Sequence, residues 1–175
     1  MRVDTAINSG NSGGGLYNEK GELIGIVNAK IVKSTVENIG YAIPSNVAIA
    51  VADNIVDNCF GKDTRTVKRA VLGAELGSSD SIAIMDENSG MIKVKETVTI
   101  AEISTQSPAS GKLKVGDVIE RITLGSEIVE VTRKHQIMDL LLKARIGDTV
   151  TIKISRNGKE MDVKLDITSS CIIDY

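Results

Sequence analysis

The chain has no tryptophan and a single phenylalanine among its 175 residues. Any core must therefore be filled with aliphatic side chains. At 42% hydrophobic residues there are enough of them to bury one. Lysine and arginine (21) do not outnumber aspartate and glutamate (23), and the net charge is −2. That argues against a dedicated nucleic-acid binder, which would show a basic face. No apolar run reaches the roughly 18 residues of a membrane span. The N-terminus lacks the charged-then-apolar pattern of a signal peptide. Cys59 and Cys171 are far apart and have no metal-site spacing, so neither metal nor cofactor is expected. There is one histidine, His135, and that count matters below.

What is present divides into two textures. Residues 13 to 29 read as a hairpin with "NEKGE" as its turn. "IGYAIPS" (39–45) is a further short strand ended by Pro44, and Ser45 then opens a helix. Val47, Val51, Ile55 and Cys59 recur at i, i+4 along it. A polar, charged stretch follows, and the domain division predicted is 1–62, a linker at 63–69, a second domain at 70–168 and a tail at 169–175. In the second domain "AVLGAEL" and "SGMIKVKETVTIAEIS" are strand-like, the latter lengthening a loop. "SPASGKLKVGDVIERI" is a turn then a strand, with Asp117 capping the turn. A helix is predicted over 135–146, with Ile137, Leu140, Leu141 and Ala144 on one face. A closing hairpin turns at Asn157-Gly158.

"Gly10-Asn11-Ser12-Gly13-Gly14" raises a chemical question. A serine hydroxyl is a poor nucleophile unless a base removes its proton. Its attack on a carbonyl also needs donors for the oxyanion, and glycine-rich backbone can supply them. Taken alone, the motif is also what a simple glycine-rich turn looks like. The longer run "DTAINSGNSGGGLYNEKGELIGI…NIGYAIPSN" closely resembles the active-serine region of the HtrA (Do-like) serine proteases, in order and spacing over residues 3 to 60. The resemblance implies a mainly β fold with a few helices: half of a trypsin-like double β-barrel, then a second domain. It makes Ser12 the nucleophile, with Gly10 and Ser12 as backbone oxyanion donors and Asn11 in the oxyanion loop. It implies a small apolar substrate pocket lined by Ala6, Ile7, Ile26, Val27 and Asn28. Two family prolines are replaced, by Ser9 and Gly15, which loosens the loop.

The triad histidine and aspartate precede the serine in the trypsin-like order. Only eleven residues precede Ser12, and none is histidine. The chain alone is therefore expected to be inactive. Half a barrel also leaves strand edges exposed, so a homo-oligomer or strand-swapped dimer is expected.

"VKRAVLGAEL", "LKVGDVIERI" and "GDTVTIKISRNGKE" resemble the PDZ domain that follows the protease in this family. That implies binding of peptide C-termini along a sheet edge. The carboxylate loop would be Val71-Leu72-Gly73-Ala74, with His135 and Leu140 on the opposite wall. His135 also reads as a solvated first-turn residue. The partners implied are unfolded or C-terminal peptide segments, with no nucleic acid and no membrane span. Three functions stay open: the C-terminal fragment of a bacterial, extracytoplasmic quality-control endopeptidase, a catalytically dead peptide-binding scaffold, or a holdase-like module.

Overall fold

A computed structural model describes residues 1–3, 7–8, 10–30, 40–59, 67–85 and 90–174. The chain divides into two compact units, Met1–Thr64 and Arg65–Tyr175. The described part is mainly β, with two α-helices.

In the first unit, β1 (Arg2–Val3), β2 (Gly15–Tyr17), β3 (Leu23–Lys30) and β4 (Gly40–Pro44) form an antiparallel sheet in the order β1-β4-β3-β2. The predicted hairpin is β2–β3. Its turn is organised by Asn18, whose Oδ1 accepts from the Lys20 and Glu22 N–H groups at 3.0 Å each. Such a side-chain turn is why asparagine suits this position. Helix α1 (Ser45–Cys59) starts directly after Pro44. Its most buried residues are Ala50 and Asn54, while Val47, Val51 and Ile55 are half-buried. The inward face is thus displaced by about a quarter turn from the predicted stripe.

In the second unit, β5 (Lys68–Ala70) is followed by β6 (Ala74–Met85), β7 (Ile92–Ile103), β8 (Val118–Leu124) and β9 (Glu127–Glu130). Helix α2 (Lys134–Leu141), β10 (Thr149–Arg156), β11 (Lys159–Asp166) and β12 (Ile172–Asp174) complete it. The main sheet has the order β11-β10-β8-β7-β6, with β9 paired to β8. Alternating Val150, Ile152 and Ile154 of β10, with Ile119 and Ile122 of β8 on either side of a bulge, point inward and pack with Ile137 and Leu140 of α2. The Asn157-Gly158 turn is as predicted, both residues having positive φ (52° and 75°).

Three expectations are corrected. The helix ends at Leu141 rather than 146, because the chain turns there: Asp148 Oδ2 accepts from the Arg145 N–H (2.8 Å), and Gly147 has a φ of 100°. Residues 92–99 lengthen a strand rather than a loop, paired along β6. The segments read as linker and tail pair with each other: Ile173 is opposite Arg69 and Asp174 opposite Lys68. A short 3-10 turn at Ser169–Cys171 precedes this, and buries Cys171.

Asp117 caps its turn as expected, its Oδ2 accepting from the Lys114 N–H at 2.8 Å. It does more than that. Only 1% exposed, its carboxylate receives Nε and Nη2 of Arg156, both at 2.7 Å. These hydrogen bonds, led by Arg156, hold its pKa below the usual value despite burial. Removing the cation leaves a buried charge without its partner. Arg156→Met should therefore destabilise the second unit, read as a lower midpoint in urea denaturation followed by circular dichroism. Because the folded pKa is lowered, this contribution is present above pH 3.8 and is lost as pH falls through the folded value. Asp117→Asn should flatten that acid limb. An unchanged limb would mean that the pair does not carry it.

Candidate functional site

The serine loop is built on backbone bonds to β3. Gly13 N–H donates to the Val27 carbonyl (2.8 Å), and Val27 N–H donates to the Gly14 carbonyl (2.9 Å). Asn11 and Gly14 close two tight turns onto Asn8 and Asn11 (3.1 and 3.0 Å). Gly10 and Gly13 hold φ values of 99° and 84°, which a side chain would resist. The Gly10 and Ser12 N–H groups, the expected oxyanion donors, have no acceptor among the described residues. Beside them lies a cleft of about 370 Å³ lined by Ile7, Gly10, Asn11, Gly14, Leu16 and Val27.

Ile7 and Val27 are buried at this cleft. Ile26 does not line it, since on a strand its side chain points to the other face from Val27. Asn28 contributes its carbonyl, which accepts from Ser12 Oγ at 3.2 Å. Ala6 lies outside the described residues. The hydroxyl is exposed and bound to a carbonyl, so nothing described here removes its proton. The histidine of the chain sits on α2 of the second unit.

The second candidate is a groove of about 520 Å³ between β6 and α2. Its mouth is the loop before β6. The Leu72 and Gly73 carbonyls are tied inward, accepting from Ala109 (3.1 Å) and Ser104 (3.0 Å), and Val71 N–H donates to the Cys171 carbonyl (2.8 Å). The Leu72 and Gly73 N–H groups have no acceptor among the described residues. Val71, Leu72, Gly73 and Ala74 all line the groove.

The opposite wall differs from the sequence reading. Leu140 is 2% exposed and belongs to the core, and His135 is exposed and does not line the groove. The wall is made by Lys134, Ile137, Met138 and Leu141. These sit at i, i+3, i+4 and i+7, one face of the helix. Gln136 fixes that start, its Oε1 accepting from the Thr132 and Arg133 N–H groups at 2.8 Å each. Arg69 and Ser104 were missed because only tertiary folding brings them to the groove.

The fold and the groove define a PDZ-domain protein: residues 70–167 match the PDZ domain family, and residues 1–52 match the trypsin family. The chain is 34% identical over 172 residues to the serine protease Do-like HtrA of Bacillus subtilis, covering 95% of this chain and 36% of that protein. It is 29% identical to the serine endoprotease DegS of Escherichia coli, covering 95% and 45%. The HtrA-type protease AlgW, solved with a decapeptide, superposes with a TM-score of 0.57 at 30% identity, covering 95% of this chain and 48% of that one. The chain belongs to the HtrA (Do-like) family of trypsin-like serine proteases with a PDZ domain, and matches only the C-terminal part of the protease domain plus the PDZ domain. It spans less than half the length of these relatives.

Gly73 has a φ of 70°, and a Cβ placed there would collide with the Ser107 side chain and come within 3.2 Å of Pro108. Gly116 has a φ of 88° but open space around it. Gly73→Ala should therefore cost about 2 kcal/mol or more, and Gly116→Ala about 1 kcal/mol less than that. Equal losses in denaturant titration would mean that the Ser107 contact is irrelevant.

Proposed function

We propose that the chain is the C-terminal part of an extracytoplasmic quality-control endopeptidase, in which the groove binds the free C-termini of unfolded proteins and Ser12 is the nucleophile. The observation carrying the binding role is the pair of N–H groups at Leu72 and Gly73 without acceptors at the mouth of an apolar groove. A carboxylate there gains charge-assisted hydrogen bonds of about 1.5–3 kcal/mol each. The peptide would then add as a strand along β6. The AlgW structure with a decapeptide and the periplasmic name of the relative DegQ support the ligand class and the location. Among the described residues β1 and β2 are the sheet edges, which suits a homo-oligomer or strand-swapped dimer.

For the serine, the loop offers oxyanion donors and no base lies beside it among the described residues, so the isolated chain is inactive. The hydrogen bond from Ser12 to the Asn28 carbonyl also favours a second reading, a peptide-binding scaffold without hydrolysis. The DNA upstream of Met1 separates the two. An in-frame barrel bearing histidine and aspartate supports the first, and a stop codon the second.

Two measurements check this. A peptide ending in a free apolar residue should bind at least about tenfold more tightly than its C-terminal amide in calorimetry. Equal affinities would remove the carboxylate loop from the reading. A fluorophosphonate probe should leave Ser12 unlabelled in the 175-residue chain, since loss of a triad member costs roughly 10⁴ to 10⁶ in turnover. Rapid labelling would mean that a base reaches Ser12 after all.

A further inference from the structure

Strands β6 and β7 are 12 residues each, longer than any other strand of the sheet. Only their inner parts meet the core. Beyond a bulge between Ser79 and Ile82 they continue as a two-stranded ribbon, with Ala83 opposite Val94 and Met85 opposite Ile92. Residues directly opposite in an antiparallel pair share a face. Steps of two along β7 lead outward from buried Ile100 and Val98 to Glu96, Val94 and Ile92. The ribbon face carrying Ala83, Met85, Ile92 and Val94 is therefore the outward continuation of the face that covers the core.

Leu76, which lines the groove and pairs with Ile100, lies on this same face. Arg133, at the start of α2, reaches Glu96 at 3.5 Å. Past that contact the apolar residues are uncovered: Met85 is 71%, Ile92 74% and Val94 43% exposed. Lys93 and Lys95 pair with Ile84 and Ile82, on the opposite face. The exposed patch is thus apolar and runs on from the groove.

We propose that this ribbon face is the outer part of the peptide groove, and that it holds upstream apolar residues of an extended C-terminal ligand. The proposal rests on the peptide-binding reading of the groove. Among the described residues, strand β6 is the edge of its sheet along its full length. A ligand anchored by its carboxylate at Leu72-Gly73 runs antiparallel to that edge. At about 3.3 Å per residue, the 12 residues of β6 span roughly 40 Å. The ligand residues beside Ala83 and Met85 are then about nine to eleven positions from its C-terminus. Alternate side chains there fall on the apolar face. The occupant is an extended peptide with aliphatic residues at alternate upstream positions.

The test uses the 175-residue chain and three synthetic peptides in calorimetric titration. The first has four residues ending in a free apolar residue. The second has twelve, with the same last four and valine at alternate upstream positions. The third replaces those valines with serine. The second should bind at least about tenfold more tightly than the first, and the third should lose that gain. In the double variant Met85→Thr/Ile92→Thr the gain should fall below about threefold with four-residue affinity unchanged. Threonine keeps the strand propensity, and both side chains are exposed. Equal binding of the first two peptides, or a gain that survives the double substitution, overturns the proposal. So does dimerisation in sedimentation that the double variant abolishes, with no gain from peptide length, because a second copy would then be the occupant. If the four-residue peptide does not bind at all, the groove reading itself fails, and the ribbon proposal falls with it.

Discussion

One buried carboxylate holds the second unit together at the point where its strands diverge. Asp117 takes both Arg156 donors from the end of β10 and the Lys114 N–H from its own turn. Its backbone carbonyl accepts from Ile100 at 2.9 Å, and the Gly116 N–H donates back to the Ile100 carbonyl at the same distance. Strands β7, β8 and β10 are therefore fixed at one residue. This matters because β7 and β8 otherwise share a single register pair, Thr99 with Val118. The position of β6, and with it one wall of the groove, depends on β7 being held there.

The two candidate sites differ in how far the chain itself completes them. The groove has its donors, its apolar walls and its strand edge within one unit. The serine loop has a positioned backbone and a cleft, yet its hydroxyl rests on a carbonyl. A hydroxyl in that state is a hydrogen-bond donor and a weak nucleophile. The backbone geometry of the loop and the reactivity of its hydroxyl are thus separable here. A glycine-rich turn can be set by local backbone bonds, whereas a base must come from elsewhere in sequence.

What could be read in the sequence was mostly local. Asn157-Gly158 fixes its turn through positive φ at both residues, and alternation along β10 survives because one face is buried. Gly10, Gly13 and Gly73 were legible as turn positions because glycine spacing records backbone conformation directly. The end of α2 was not legible. Ala144 is buried like a helical core residue, but it gets there on a turn, so periodicity recorded burial rather than helix. The ribbon was missed because Ser78, Ser79 and Asp80 interrupt the apolar alternation, and only pairing with β7 keeps the strand going. His135 and Leu140 were assigned to the groove by resemblance alone, and the spacing of the helix instead turns Lys134, Ile137, Met138 and Leu141 towards it.

The pairing of β5 with β12 has a mechanical meaning. Lys68 and Asp174 are opposite each other, so the two ends of the second unit enter and leave at the same end of one ladder. Tension applied between them acts across the hydrogen bonds in sequence rather than on all of them together. The ladder opens like a zip, from Asp174 towards Ile172. Next along that path is the bond between the Val71 N–H and the Cys171 carbonyl, which anchors the loop at the mouth of the groove. Pulling on the ends of this unit therefore loosens the Val71–Ala74 loop well before it strains the aliphatic core.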